Sequence, residues 1–148
     1  MYLHTKAATE LAEQLDRLVV FAAPRTLRQL GLGTQNAAVL LLAAGENIDR
    51  FNSEASFTHL CAAAPISAAS GRTSRHRLNH GGNRQANRAL HMTVSVRLRY
   101  CPRTSAYMER RVHDGRTKQE VIRCLKRYVV RDVYRTLRAD LSDLALRG

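Results

Sequence analysis

The spacing of apolar residues predicts a helix at the start of the chain. Apolar side chains recur there at intervals of four, three and four residues: Leu11, Leu15, Leu18 and Ala22. Residues 5–22 are therefore predicted to form an amphipathic helix, which Pro24 ends. A seam this short fits one half of a longer coiled coil. It fits equally well a helix that packs on the rest of the chain.

A pair of glycines separates the next two predicted helices. A short helical piece at 25–30 is followed by Gly31-Leu32-Gly33 and by a helix over about 34–44, with Thr34 as its N-cap. This outline fits a helix-hairpin-helix, in which Gly31 and Gly33 let backbone N–H groups approach a DNA phosphate. It fits an ordinary helix–helix corner as well.

Four further helices are predicted beyond residue 50. Their ranges are about 54–63 after a Ser53 cap, 83–99, 104–112, and 118–137 after a capping box at 117–120. Residues 65–82 are predicted to form a loop with a short extended pair around 75–78, and residues 48–52 a turn. The expected inward-facing residues are Phe57, Leu60 and Cys61, then Ala86, Leu90, Val94 and Leu98, then Val121, Leu125, Tyr128, Val129 and Val133. From Ala139 onwards no pattern remains, and fraying is expected.

These elements predict a mainly α fold class with a basic loop at its centre. The predicted organisation is the end of a coiled-coil helix at 1–23, a helix-hairpin-helix-like segment at 24–50, a domain at 51–137 and a tail at 138–148. Hydrophobic residues make up 45% of the chain but aromatic residues only 5%. The core must therefore be built from Leu, Val and Ala, which favours helices.

Positive charge is concentrated in the last two thirds of the chain. The formal net charge is +12, and between Glu54 and Glu109 there are eight arginines and no acidic residue. Arginine matches phosphate oxygens two at a time, and a strongly basic surface attracts nucleic acid without sequence preference. The charge balance differs from that of a typical metabolic enzyme and favours a polyanionic partner, with DNA as our interpretation.

Residues 65–87 hold the candidate chemistry. Ser70 precedes Gly71, where a tight turn could hold the hydroxyl clear of the backbone. The candidate nucleic-acid contacts around it are Arg72, Arg75, His76, Arg77, Arg84 and Arg88. The arginines could neutralise charge that develops on a phosphoryl group, and His76 and His80 could carry protons. A serine needs activation to act as a nucleophile, so a solvated polar loop fits the same spacing.

The residues near Ser70 do not include a magnesium site. Magnesium-dependent phosphoryl transfer needs clustered carboxylates, so any such ion must be held by another polypeptide segment. Glycines beside His76 and His80 favour a loop over a helical metal-binding pair. Cys61, Cys101 and Cys124 form no CxxC motif, and reduced thiols are expected. We predict no metal and no cofactor in this chain.

The sequence also predicts where the protein resides. It has no signal peptide pattern, and the apolar run at 37–44 is too short to cross a bilayer. A cytoplasmic protein with no membrane partner is expected.

The central block resembles a known family. SEASFTHLCAAAPISAASGRTSRHRLNHGGNRQANRAL at 53–90 is similar to the C-terminal transposase domain of the DEDD-type, bridge-RNA-guided insertion-sequence transposases (the one-ten, one-sixteen and nine-oh-two type). The likeness continues in PRTSAYMERR at 102–111 and KQEVIRCLKRYVVRDVY at 118–134. LRQLGLGTQNAAVLLLAAGEN at 27–47 resembles the family's helix-hairpin-helix segment, and residues 5–23 resemble the end of its coiled coil.

The resemblance implies strand cleavage and exchange in DNA. In the family, a serine of the Ser-Gly motif forms a covalent phosphoserine intermediate, and Ser70 matches it. It acts with a RuvC-like domain whose four acidic residues bind Mg²⁺, in an oligomer around a guide RNA. This chain departs from the family pattern at Ala69, Thr34 and Cys101, and it contains no RuvC-like half. We therefore expect the chain to bind DNA, to form a homo-oligomer through its N-terminal helix, and to be inactive alone.

Three functions are therefore considered. The first is the serine-bearing part of a DNA transposase. The second is a non-enzymatic nucleic-acid-binding module, such as an inactive remnant, and the third is a structural helical protein whose charge serves solubility or assembly. A steep salt dependence of binding separates the third from the others, and a covalent DNA adduct separates the first from the second.

Overall fold

The computed structural model describes residues 2–45, 53–61, 66–67, 76–77 and 83–147. These residues are almost entirely helical, which confirms the mainly α fold class. The helices are α1 (Tyr2–Ala22), α2 (Pro24–Leu27), α3 (Thr34–Gly45), α4 (Glu54–Leu60), α5 (Arg84–Tyr100), α6 (Pro102–His113) and α7 (Lys118–Arg147). Two short strands, β1 (Ile66–Ser67) and β2 (His76–Arg77), lie between α4 and α5. The predicted turn at 48–52 is outside the described residues, and the domain boundaries stay a prediction.

Helix α1 has a buried face beside an exposed apolar face. Val19 is buried, and Leu15 packs against the core. Leu11 and Leu18 are each 66% exposed, and they share one side of the helix because seven residues separate them. The predicted seam is thus divided between the core and the solvent.

The start of α2 is held by a carboxylate from α7. The buried side chain of Asp140 accepts hydrogen bonds from the backbone N of Arg25 (3.2 Å) and from the backbone N (3.0 Å) and Oγ1 (2.8 Å) of Thr26. Backbone N–H groups in the first helical turn have no partner within their own helix, so Asp140 serves as an N-cap supplied from a distance. Arg25 also forms an ion pair with Asp143 at 2.6 Å.

The corner between α2 and α3 packs tightly on α5. Gly31 has a φ of +86°, and a Cβ added there would lie 2.9 Å from the carbonyl oxygen of Thr93. Only glycine adopts this conformation readily and allows this approach. Arg97 of α5 reinforces the corner by donating to the carbonyl oxygen of Leu30 (2.8 Å). Ala37 N bonds to the Gly33 carbonyl, so Gly33 holds the N-cap position and the prediction of Thr34 as the cap was wrong by one residue.

Local capping residues set the starts of α4, α5 and α7. Ser53 Oγ accepts from Ser56 N at 3.3 Å, and Asn83 Oδ1 accepts from Ala86 N at 3.0 Å. The capping box before α7 is confirmed, since Thr117 and Glu120 each accept from the other's backbone N at 3.2 Å.

Helix α7 differs from its prediction in two respects. It runs to Arg147, so the expected fraying from Ala139 is wrong: Asp140 and Leu141 pack against the rest of the protein. Tyr128, predicted to face inward, is 48% exposed, and its ring centroid lies 6.0 Å from that of Tyr107 in a T-shaped arrangement. The other four inward-facing residues predicted for this helix are buried: Val121, Leu125, Val129 and Val133.

The core lies where α3, α4, α5 and α7 meet. Leu40, Phe57, Leu90 and Val130 come from these four helices, and each is at most 1% exposed. The predicted stripe on α5 is confirmed, with Leu98 half-buried at its end. Cys61 is buried as predicted, and Leu60 is half-buried. This core fixes the end of α4 beside the start of α5.

Candidate nucleic-acid interface

Residues 62–82, which include Ser70, leave and rejoin the helical body at one place. The backbone N of Asn83 donates to the Leu60 carbonyl at 2.6 Å, which joins the end of α4 to the start of α5. Asn87, one turn into α5, donates from Nδ2 to the Cys61 carbonyl at 3.2 Å. Both ends of the basic segment are therefore held at the same point.

A two-stranded antiparallel pairing lies within this segment. Ile66 is opposite Arg77 and Ser67 is opposite His76, which confirms the extended pair predicted around 75–78. Ser70, Arg72 and Arg75 fall between the strands in sequence, and His80 follows β2. All four are outside the described residues. Only the backbone is described for His76 and Arg77. The ladder places Ser67 opposite His76, the two residues that flank the stretch 68–75 in sequence.

Lys126 of α7 lies at the base of the segment. Its Nζ donates to Asn87 Oδ1 at 3.1 Å, so Lys126, Asn87 and the Cys61 carbonyl form one hydrogen-bonded chain across three helices. Burial lowers the pKa of Lys126, and the nearby Arg123 lowers it further. Lys126 is half-buried, although it lies in a run of basic residues with the exposed Arg123 and Arg127. Its position four residues before the buried Val130 was a signal for this placement.

Arg84 and Arg88 extend the basic segment into α5. Both side chains are exposed, and they lie one turn apart on the same side of the helix. Neither takes part in an ion pair with a described carboxylate. They are therefore open to an anionic ligand next to the point where residues 62–82 rejoin the body.

The structure brings Gly33 and Arg88 to one groove between α1, α3 and α5. The groove has a volume of about 800 Å³, and its polar lining includes Gln35 and Asn36 from the first turn of α3 and Gln85 from α5. Asp16 of α1 also lines the groove. Gly33 has open space around its Cα, whereas Gly31 faces the backbone of α5 instead of the groove. Sequence reasoning missed Gln35 and Asn36, although their place after the glycine pair was visible.

No described helix is long and apolar enough to cross a membrane. No group of three or more His, Cys, Asp or Glu side chains is arranged to hold a metal ion there. The three cysteines are free thiols.

Comparison with known protein families found a match. The model of the transposase IS116/IS110/IS902 family matches residues 25–109, which is more than half of the sequence. The chain belongs to this transposase family. A comparison with curated proteins found no match.

Membership in the transposase family makes DNA the partner and DNA cleavage and joining the family's activity. The matched range extends from α2 into α6 and contains Ser70 and both glycines of the α2–α3 corner. It also contains the candidate contact arginines: Arg72, Arg75, Arg77, Arg84 and Arg88. All of α1 and all of α7 lie outside it, although α7 supplies Lys126 and Asp140.

Proposed function

We propose that this chain is the C-terminal part of a transposase, binds DNA and supplies Ser70 as the nucleophile for strand cleavage and exchange. The observation that carries the proposal is the family match over 25–109, which includes the Ser-Gly pair and the basic residues around it. The proposal includes guide RNA as a further partner, which rests on the resemblance alone.

The fold supports this proposal through the way residues 62–82 are anchored. A nucleophile must be held close to the bond it attacks, because positioning lowers the barrier as much as activation does. The Leu60–Asn83 hydrogen bond and the β1–β2 ladder restrict the path of the chain on both sides of Ser70. Arg84 and Arg88 lie where the segment ends.

The proposed step is a transesterification. Ser70 Oγ loses its proton and bonds to phosphorus, while one bridging sugar oxygen leaves as a hydroxyl. A hydroxyl of another strand then attacks the same phosphorus, forms the new phosphodiester bond and displaces Ser70 Oγ, which takes up a proton. The number of phosphate ester bonds does not change, so no oxidant or energy source is consumed. Arg72, Arg75 and Arg77 stabilise the charge on the phosphoryl oxygens, and His76 and His80 carry protons.

Magnesium enters the proposal through a second domain. The described residues do not bring three metal-ligating side chains together, so they do not fit a magnesium site. We assign the ion to carboxylates of a separate RuvC-like domain. Without that domain, the chain is proposed to bind DNA and leave it uncut.

We also propose that the chain forms a homo-oligomer through α1. Leu11 and Leu18 are each 66% exposed on one side of the helix, where a second copy could cover them. An oligomer would place more than one Ser70 on the same DNA, as strand exchange requires.

The decisive experiment combines the chain with a RuvC-like domain of the same family and radiolabelled DNA in Mg²⁺. We expect a protein–DNA adduct that survives denaturation, and its loss in Ser70→Ala. Ser67→Ala is the matched control, since it removes a nearby hydroxyl from β1. Adducts that persist in Ser70→Ala would disprove the nucleophile. DNA binding without any adduct would favour the non-enzymatic module.

A further inference from the structure

The outer face of α7 carries a row of arginines. Five exposed arginines recur there at intervals of four, four, four and three residues: Arg123, Arg127, Arg131, Arg135 and Arg138. With 3.6 residues per turn and 1.5 Å per residue, they occupy about one third of the helix circumference and roughly 22 Å of its length. We call these five residues the arginine stripe.

Three of the four carboxylates of α7 are engaged away from the stripe, and the fourth, Glu120, caps the start of the helix by accepting from the backbone N of Thr117. Asp132 pairs with Arg97, while Asp140 and Asp143 pair with Arg25. Within the described residues, the stripe's one ion pair joins Arg131 to Glu54 at 3.0 Å. The other four arginines have no described carboxylate at ion-pair distance. Like charges one turn apart destabilise a helix, so a polyanion bound along the row would relieve this repulsion.

The stripe begins beside the base of the Ser70 segment. Arg123 is close enough to Lys126 for its charge to act on that ammonium, and Lys126 contacts Asn87 at the point where residues 62–82 rejoin the body. A DNA molecule that reaches this segment could continue along α7.

The aromatic rings next to the stripe argue for duplex backbone as the ligand. Proteins that bind single strands stack the bases on open aromatic faces. Here the guanidinium of Arg131 lies 5.9 Å from the centroid of the Tyr128 ring, and that of Arg138 lies 6.0 Å from the centroid of the Tyr134 ring. Because arginines already occupy these rings, the surface suits phosphates better than unstacked bases.

We propose that the arginine stripe is a second DNA-binding surface, which holds the phosphate backbone of duplex DNA that extends from the Ser70 segment. This inference rests on the proposed function. It adds a contact surface on α7, beyond the range matched by the family, and assigns it to duplex DNA.

The test compares two full-length variants with the same loss of charge. The stripe variant is Arg123→Gln, Arg127→Gln, Arg135→Gln and Arg138→Gln, which spares the Arg131–Glu54 pair and keeps good helix formers. The control is Lys6→Gln, Arg17→Gln, Arg99→Gln and Arg147→Gln, four exposed positions outside the stripe. Binding to random-sequence duplex DNA is measured from about 50 to 200 mM salt, where each phosphate contact adds about 0.9 to the slope of log K against log salt.

We expect the stripe variant to lose at least tenfold in affinity and about three units of salt slope, while the control loses less than one unit. Equal losses in both variants would show a general effect of net charge and overturn the inference. Losses confined to single-stranded DNA or to RNA would overturn the assignment to duplex DNA. If the unsubstituted chain binds no nucleic acid, the proposed function fails together with this inference. If the chain binds DNA but the two variants lose equally, this inference fails alone, so the two failures are distinguishable.

Three further variants keep the test valid if the fourfold glutamine variant does not fold. Replacing the same four arginines by lysine retains the charge, and we expect it to retain most of the salt slope. The paired variants Arg123→Gln with Arg127→Gln, and Arg135→Gln with Arg138→Gln, should each lose about half of the fourfold effect. Unchanged binding in both pairs would contradict the proposal.

Discussion

Asp140 accepts two hydrogen bonds from Thr26, a residue 114 positions earlier in the chain. This contact caps α2, and it ties the α2–α3 corner to the last turns of α7. The corner carries Gly33, which lines the groove beside Arg88. The C-terminal end of the chain thus supports one wall of the candidate interface.

Replacing Asp140 by alanine should therefore destabilise the fold. The substitution leaves the backbone N–H groups of Arg25 and Thr26 without their acceptor, whereas the Thr26 hydroxyl keeps Thr136 Oγ1 as a partner. The loss costs about 3 kcal/mol in the free energy of unfolding. Urea denaturation followed by circular dichroism measures this change. Asp143→Ala is the matched control: it removes a carboxylate that pairs with Arg25 but is 41% exposed, so its loss should stay below about 1 kcal/mol. Equal losses would contradict the capping role of Asp140.

The two glycines of the α2–α3 corner should respond differently to alanine. Gly31→Ala forces a side chain into the left-handed region and against the Thr93 carbonyl, and should cost about 2–4 kcal/mol. At Gly33 an added Cβ meets nothing within 4 Å, so Gly33→Ala should cost only the poorer N-cap preference of alanine, about 0.5–1 kcal/mol. Thermal melts of the two variants measure the two losses of stability. A destabilised Gly33→Ala with an unaffected Gly31→Ala would reverse the assignment.

The contrast between these glycines shows where sequence reasoning reached its limit. The Ser53 cap, the capping box at Thr117 and the stripe of α5 were predicted correctly, because each depends on residues a few positions apart. The pairing of Asp140 with Thr26 and the burial of Lys126 depend on partners far away in sequence. The exposure of Tyr128 likewise depends on where α6 packs. The pattern around Ser70 identified a candidate nucleophile, and that assignment stays a prediction.

The thiols provide a test of the packing around α4. Burial raises the pKa of Cys61 to about 12, while a hydrogen bond from the Thr104 side chain is the main cause that lowers the pKa of Cys101. At neutral pH, iodoacetamide should modify Cys101 in the native protein and reach Cys61 only in denaturant, as mass spectrometry can measure. Thr104→Val should slow the modification of Cys101. Native modification of Cys61 at the rate of Cys101 would contradict its burial.

The same thiol predicts the alkaline behaviour of the fold. An unfolded cysteine ionises near pH 9, whereas Cys61 keeps its proton in the fold until about pH 12. The native state therefore binds more protons in this window, so the stabilising contribution is complete below pH 9 and is lost as the pH rises towards 12. Denaturation curves of Cys61→Ala should show a shallower fall over this range than those of the unsubstituted chain. An equal fall in the free energy of unfolding of both proteins would contradict this contribution of Cys61.

Exposed leucines on α1 should control association. Leu11→Glu with Leu18→Glu places charges in the proposed interface, and sedimentation should then show a monomer whose helix content is unchanged. Val20→Glu is the matched control, because Val20 is 56% exposed on the opposite side of the helix. An oligomer that survives the leucine substitutions, or one that Val20→Glu also disrupts, would rule out this interface.

The most direct test is to map the covalent bond itself. The chain, a RuvC-like domain of the family and DNA are allowed to react in Mg²⁺, the adduct is digested with nuclease and trypsin, and the peptide of residues 51–72 is sequenced by mass spectrometry. We expect the nucleotide mass on Ser70, with Ser67 unmodified in the same peptide. A nucleotide on Ser67, or on any residue outside this peptide, would contradict the assignment of Ser70 as the nucleophile.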